Sequence, residues 1–424
     1  MGSMFVRHRS SLWRSAHGEG MFLARWQSIP VRASASRSFR HWATGGRAAM
    51  KTAVEREGRN GPGTVVIYSN RGREALHERA VHLDLGHRLA RLQGLDFGGE
   101  YDPDTRYPGG LYFVPTGTVI GRRNAGRLGM RSAADLFGGV VPRPFMATKA
   151  ITHGLLRSGA QAPPGWSPGF VRRVADAVLR GFTAFNRKEA GEAGRRLLAE
   201  GPLRIKPVLA TGGRGQRLVA DPAELERQLA ALDETELSRF GLVLEEHLEQ
   251  VSTYSVGQVQ VGDLLATYCG TQRLTRDNRG EEVYGGSDLL VVAGDFAELL
   301  ALELDDPLRL AVQQARIYDA AALRSFAGFF ASRRNYDIAR GLDSRGRTRS
   351  GVLEQSWRIG GASSAEIAAL EAFRAGARSV RTSSLELFGE DKVAPAGACV
   401  LFRGEDPELG YLTKCVVTTD NGNP

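Results

Sequence analysis

Apolar residues first gather at Val65-Val66-Ile67-Tyr68, an unbroken run suited to a strand buried on both faces. Gly72 follows, and then Leu76, Ala80, Leu83 and Leu92 fall near one face of a helix over about 73–93. Leu111 to Val114, closed by Pro115, is a second buried-strand run, so the opening pattern is that of an α/β unit. A Gly/Pro-rich stretch over 138–144 leads into a helical segment around Lys149, and the loop over 159–169 marks a further boundary. Strands are then expected at 182–185 and 203–208, with a helix near 188–200 between them. Asp221-Pro222-Ala223-Glu224 combines a cap, a first-turn proline and an acid three residues on, which predicts a helix burying Leu225, Leu229 and Leu232. Leu242-Val243-Leu244 reads as a strand, and Val259 to Val261 turns at Gly262-Asp263 into Leu264 to Tyr268. Two more strands, at 336–338 and 351–354, are joined through Asp343-Ser344-Arg345-Gly346. Ser363 with Glu366 predicts a capping box for a helix carrying Ile367 and Leu370, and a small β extension closes the chain.

Composition narrows this picture. The 42% apolar and 24% charged content is ordinary for a globular protein of 424 residues, and no run nears the roughly 18 uncharged apolar residues of a membrane span. The net charge of +9 is unevenly placed: residues 1–62 carry eleven Lys/Arg against three Glu, leaving the rest nearly balanced. A body without basic excess gives little support to nucleic-acid binding. The leader resembles an organelle transit peptide in its Arg/Ser richness, and equally fits a disordered extension or an over-long reading frame with its start at Met50. We take the plain reading, a disordered extension or an over-long reading frame, since the Ala/Gly/Arg bias runs through the whole chain. Cys269, Cys399 and Cys415 form no CxxC pair, which points to a reducing, cytoplasmic setting without a disulfide framework or zinc site.

Four stretches carry candidate chemistry. Lys206 lies near the end of an apolar strand, and Thr211-Gly212-Gly213-Arg214-Gly215-Gln216 follows it. A strand lysine with a glycine nest of backbone N–H groups can hold phosphates, although the same residues fit a plain hairpin turn with a surface lysine. Glu245-Glu246-His247-Leu248 ends another strand, where backbone groups and an acid can meet an adenine edge, or simply face solvent. If the hairpin turns on Arg345-Gly346, Asp337 falls directly opposite Glu354. Two carboxylates roughly 4.5–5.5 Å apart at Cβ repel unless a cation such as Mg²⁺ sits between them; two exposed hairpin acids are the alternative. Finally, Arg358 and Gly360-Gly361 precede a helix N-terminus, a place suited to an anion.

Taken in order, these features resemble the ATP-grasp superfamily over about residues 63–363, and in particular an uncharacterised bacterial ATP-grasp family sometimes labelled biotin carboxylase. The resemblance implies an α/β and α+β protein: an N-terminal α/β unit, an ATP-grasp fold whose two α+β subdomains hold ATP between them, and a small C-terminal β extension. It divides the chain into a basic leader (1–62), a pre-ATP-grasp domain (63–145), an ATP-grasp domain (146–363, lid about 180–245) and a C-terminal helix with β extension (364–424). It also calls for an antiparallel sheet joining the strands at 203–208 and 350–356.

By the same resemblance Lys149 and Lys206 grip the ATP phosphates under Gly212, Gly213, Gly215 and Gln216. Glu245, with Glu246 and Leu248 through their backbone, meets adenine, and Gln272 lies near the nucleotide. Asp337, Glu354 and Ser356 hold one or two Mg²⁺ ions, and Arg358 with the backbone at Gly360 stabilises the reacting oxyanion. Ser356 stands where the family has Asn, no acidic ribose contact follows the hinge near Ser252-Thr253, and Arg276-Asp277-Asn278 replaces a lysine of biotin carboxylase. The implied function is an ATP- and Mg²⁺-dependent ligase that joins a small-molecule carboxylate to an amine or thiol through an acyl phosphate. The alternatives are a biotin-carboxylase-like enzyme and a catalytically weakened ATP-binding regulator. Neither nucleic acid nor membrane is an expected partner, and a homodimer is compatible with this reading.

Overall fold

The computed structural model describes residues 63–209 and 215–420. Its first unit is the expected strand–helix–strand, with one strand more. β1 (Thr64–Tyr68) lies between β2 (Asp96–Glu100) and β3 (Leu111–Pro115) in a parallel sheet. Helix α1 (Leu76–Gln93) crosses between β1 and β2 and stops at Gly94, whose φ of 63° is the left-handed geometry that glycine adopts without strain. Short strands β4 (Val119–Ile120) and β5 (Gly139–Val141) flank α2 (Arg122–Leu128) and lead into the 3₁₀ turns around Lys149.

Between residues 168 and 246 lies a small α+β layer. After α3 (Pro168–Val174), strands β6 (Gly181–Ala184), β7 (Leu203–Pro207), β8 (Arg217–Val219) and β9 (Leu242–Glu246) form a sheet ordered β6-β9-β7-β8. One face carries Ala184, Leu203, Ile205, Leu242 and Leu244, packed on α4 (Arg187–Leu198) and α5 (Pro222–Ala230) through Leu197, Leu225 and Leu229. Asp221 caps α5 by accepting from the Glu224 amide, with Pro222 at the first turn. A short α6 (Glu234–Phe240) returns the chain to β9.

The remaining strands build a large antiparallel sheet. β10 (Glu249–Val261) and β11 (Leu264–Arg276) form the hairpin turning at Gly262-Asp263, continued by β12 (Glu282–Ala293). Helices α7 (Phe296–Ala301) and α8 (Asp306–Ser325) precede β13 (Phe330–Ala331), which pairs with β5. β14 (Arg333–Leu342) and β15 (Thr348–Ser356) form the acidic hairpin on the outer side of β10. After α9 (Ser363–Arg374), β16 (Ser379–Phe388), β17 (Cys399–Asp406) and β18 (Gly410–Asp420) extend the same sheet beyond β12.

Two expectations need correction. The strands at 203–207 and 348–356 do not share a sheet; β7 belongs to the small one and β15 to the eight-stranded one. β7 finds its hydrogen-bond partners in β8 and β9, and β15 finds its own in β14, so no ladder joins the two. The capping box at α9 does not form either: Ala362 is the N-cap and Glu366 turns inward, fully buried. There Glu366 accepts from the Arg333 guanidinium at 2.7 and 2.9 Å and from the Tyr268 hydroxyl at 2.5 Å. A buried partner outcompetes a local cap because an unpaired buried guanidinium costs far more than an unmade cap.

Arg333 also donates to the backbone carbonyls of Ser356 at 3.1 Å and Arg358 at 2.6 Å, so this pair fixes the path from β15 into α9. Arg333→Met, which leaves Glu366 buried without its cation, is expected to destabilise the protein by about 3–5 kcal/mol in urea unfolding. A loss under about 1 kcal/mol would remove this pair from its structural role.

Candidate functional site

The segment 146–154 ties the two sheets together. On one side Gln355 of β15 donates to the carbonyls of Met146 at 3.1 Å and Thr148 at 2.8 Å, and Thr152 donates to Leu353 O at 3.3 Å. On the other side Thr183 of β6 donates its hydroxyl to Ala150 O at 2.7 Å and its amide to Gly154 O at 2.8 Å. One turn apart on this segment, Lys149 is delivered to the large sheet and His153 to the small one.

On the small sheet, strand alternation separates two faces. Ile205 and Leu244 enter the core, while Lys206 and Glu245 turn to the opposite face, toward the bridging segment. Lys206 Nζ pairs with Glu245 Oε1, and His153 Nε2 lies 2.9 Å from Glu245 Oε2. All three are buried. Burial alone would raise the Glu245 pKa, but Lys206 and His153 outweigh it and hold the carboxyl below its ordinary value. Glu246 faces the other way and is held by Arg180 at 2.8 Å and Arg349 at 3.3 Å. Its side chain is therefore committed to the joint between the sheets, and the amides of Glu246 and His247 donate to Arg180 O and Pro202 O. Leu248 is buried immediately before β10. Gly212 and Gly213 lie outside the described residues; Gly215 has a φ of 71°, and Gln216 leads into β8.

On the large sheet, Asp337 pairs with Glu354. The turn geometry alone would not have produced this. Ile338 pairs with Val352 and Leu342 with Thr348, a register that points Asp337 at Leu353. A bulge at Leu353 inserts one residue and restores the acidic pair. Gln272 and Asn335 donate to Asp337 Oδ1 at 2.8 and 2.9 Å, and Lys149 Nζ lies 2.8 Å from Glu354 Oε2. Burial, with the Glu354 charge added, pushes the Asp337 carboxyl up to about 6.

Two hard carboxylates repelling one another in a partly buried site are a donor set that fits a magnesium ion, with water completing its shell. Ser356 fits less well: its Oγ accepts from Arg333 at 3.1 Å, which holds a fixed positive charge against that position. The Gly360 amide donates to Ser363 Oγ at 3.0 Å and is thereby engaged within the loop. Arg358 is held in the same loop, its Nη1 donating to Ile359 O at 2.8 Å.

His153 and the Arg333–Glu366 pair were not picked out from sequence. His153 carried one faint signal, its place four residues after Lys149 in a helical turn; nothing local marks Arg333 and Glu366 as partners.

Two α+β layers thus each carry a buried lysine set against a carboxylate, and the 146–154 segment joins them. The chain belongs to the family described as protein of unknown function (DUF3182), whose model matches residues 65–416. No curated protein matches it. Among solved structures it is similar to N5-carboxyaminoimidazole synthetase from Staphylococcus aureus, with 12% identity, coverage of 86% of this chain and 95% of that one, and a TM-score of 0.45. It is also similar to phosphoribosylamine–glycine ligase from Thermotoga maritima, with 15% identity, 85% and 93% coverage and a TM-score of 0.43. A Campylobacter jejuni biotin carboxylase–β,γ-ATP complex gives 11% identity, 84% and 81% coverage and a TM-score of 0.41. At such identities and scores the likeness assigns no residue a role.

The acidic pair has a consequence for stability. An acid whose native pKa exceeds its unfolded one holds an extra proton in the native state between the two values. Its contribution is therefore present at low pH and is lost as pH rises from 3.8 through about 6. In urea unfolding without added metal, the wild type should lose on the order of 2 kcal/mol more than Asp337→Asn across that window. Parallel pH profiles for the two proteins would contradict the assignment.

Proposed function

We propose that this protein binds ATP with Mg²⁺ and uses it to activate a small-molecule carboxylate, which an amine or thiol then captures. The observation that carries the reading is a buried lysine set against a carboxylate on each sheet, Lys149 with Glu354 and Lys206 with Glu245, with the 146–154 segment tying the two sheets together. Lys149 and Lys206 would hold the phosphates, with the glycine loop after β7 closing over them. Glu245 would face the adenine amino group, steadied by His153, and Gln272 would fix Asp337.

Asp337 and Glu354 would hold Mg²⁺, which supplies charge neutralisation at the phosphates when bound. Ser356 contributes weakly at most, given its bond from Arg333. Lys149 would then exchange its contact with Glu354 for a phosphate oxygen. The substrate carboxylate attacks the γ-phosphorus, the bond between that phosphorus and the β,γ-bridging oxygen breaks, and ADP leaves with the electron pair. The acyl phosphate is attacked at carbon by the amine or thiol, which loses its proton as phosphate departs. Arg358 faces the developing oxyanion, and positioning with charge compensation accounts for the catalysis. The three free cysteines support a reducing, cytoplasmic setting.

One observation favours a second reading: Arg333 occupies the Ser356 hydroxyl, so the metal set is lean enough for an ATP-binding regulator that has lost turnover. Tight nucleotide binding without ADP formation across a panel of acids and amines would select it. Both readings require the lysine grip. In calorimetry with a nonhydrolysable ATP analogue and Mg²⁺, Lys206→Ala is expected to bind at least about tenfold more weakly than wild type. His153 remains to hold Glu245 in that variant. Unaltered affinity would remove Lys206 from the site.

A further inference from the structure

Four basic side chains around the cleft each have a carboxylate: Lys149 with Glu354, Lys206 with Glu245, Arg333 with Glu366, and Arg71 with Glu78 at 2.5 Å. Arg358 has none among the described residues; its hydrogen bond goes to the adjacent carbonyl. Arg333 Nη1 donates to the Arg358 carbonyl at 2.6 Å, so a second guanidinium lies against the same loop. A half-buried guanidinium without its own counterion among the described residues is suited to receive an anion.

Arg71 reaches this place through three stitched loops. Asn70 accepts from the Gly117 amide at 2.6 Å and donates to Gly117 O at 3.0 Å. The Arg71 stem lies over Gly117, where a Cβ would meet its Cγ at 3.0 Å. The next residue, Thr118, donates to Trp357 O at 3.4 Å, immediately before Arg358. Glu78 engages one terminal nitrogen of Arg71, while Nε is buried with no hydrogen-bond partner among the described residues. The guanidinium therefore keeps donors in excess of its carboxylate.

The C-terminal strands have a part in this. Asp406 at the end of β17 accepts from the His77 amide at 3.3 Å and lies 2.8 Å from His77 Nδ1, both groups buried. This anchors the first turn of α1, and with it Glu78 and the loop carrying Arg71. The β extension thus braces the start of α1 and the loop before it.

We propose that Arg71 binds a second, non-reacting anionic group of the substrate whose reacting carboxylate faces Arg358, so that the substrate class is a dianion: a dicarboxylate or a phosphorylated carboxylate. This rests on the carboxylate-activation reading for the identity of the reacting group. The test is calorimetry on the full chain with propionate, succinate and phosphoglycolate, each with and without Mg²⁺ and a nonhydrolysable ATP analogue.

Wild type should bind succinate or phosphoglycolate at least about tenfold more tightly than propionate. Which of the two is preferred distinguishes a carboxylate from a phosphate. Arg71→Met should bring that ratio to about one, and Arg71→Lys, which keeps the charge but loses the fork, should fall between. A wild-type ratio near one, or a ratio unchanged in both variants, would overturn the subsite. Failure of wild type to bind the ATP analogue would count against the nucleotide reading alone, because the anion ratio measured without nucleotide still decides this one.

Discussion

A charge taken out of water has to meet an opposite charge, and the cleft is organised around that requirement. Lys149, Lys206 and Arg333 are buried almost completely, and each is set against a carboxylate from another element. Removing one member of such a pair costs more than the pair itself contributes, so these contacts restrict which chain paths are tolerated. The bulge at Leu353 belongs to this logic, since it brings Glu354 rather than Leu353 opposite Asp337. So does the inward turn of Glu366, which gives up a helix cap to meet Arg333.

The same pairs make the cleft responsive. A lysine balanced by a carboxylate can be handed to a phosphate, provided the carboxylate it leaves is compensated. Glu245 retains His153 for that purpose, and Glu354 has Asp337 beside it, so that a divalent cation would neutralise both at once. Among the described residues Arg358 has no such partner, which is why the proposed anion is placed there. Chemistry that moves negative charge between phosphate and carboxylate suits a cleft built this way.

Much of the framework was legible because it is written in local patterns. The buried runs at 65–68 and 111–114, the Asp221-Pro222 helix start and the Gly262-Asp263 turn all depend on near neighbours. The acidic pair was reached through an assumed turn that proved to be offset, with the bulge supplying the missing residue; a bulge leaves no reliable mark in a sequence. Long-range pairings were not readable at all. Arg333 with Glu366 and His77 with Asp406 join residues far apart in the chain, and only the assembled sheets bring them within bonding distance. The expected shared sheet failed for a related reason: strand character is local, whereas membership of one wall or the other is settled by packing.

On the proposed reading, the small and large sheets grip a nucleotide between them by its phosphates. A crystal structure with a nonhydrolysable ATP analogue and Mg²⁺ tests it most directly. The triphosphate should lie between Lys149 and Lys206, with the metal against Asp337 and Glu354. A nucleotide bound elsewhere, or Lys206 still paired with Glu245 beside a vacant cleft at saturating analogue, would contradict it.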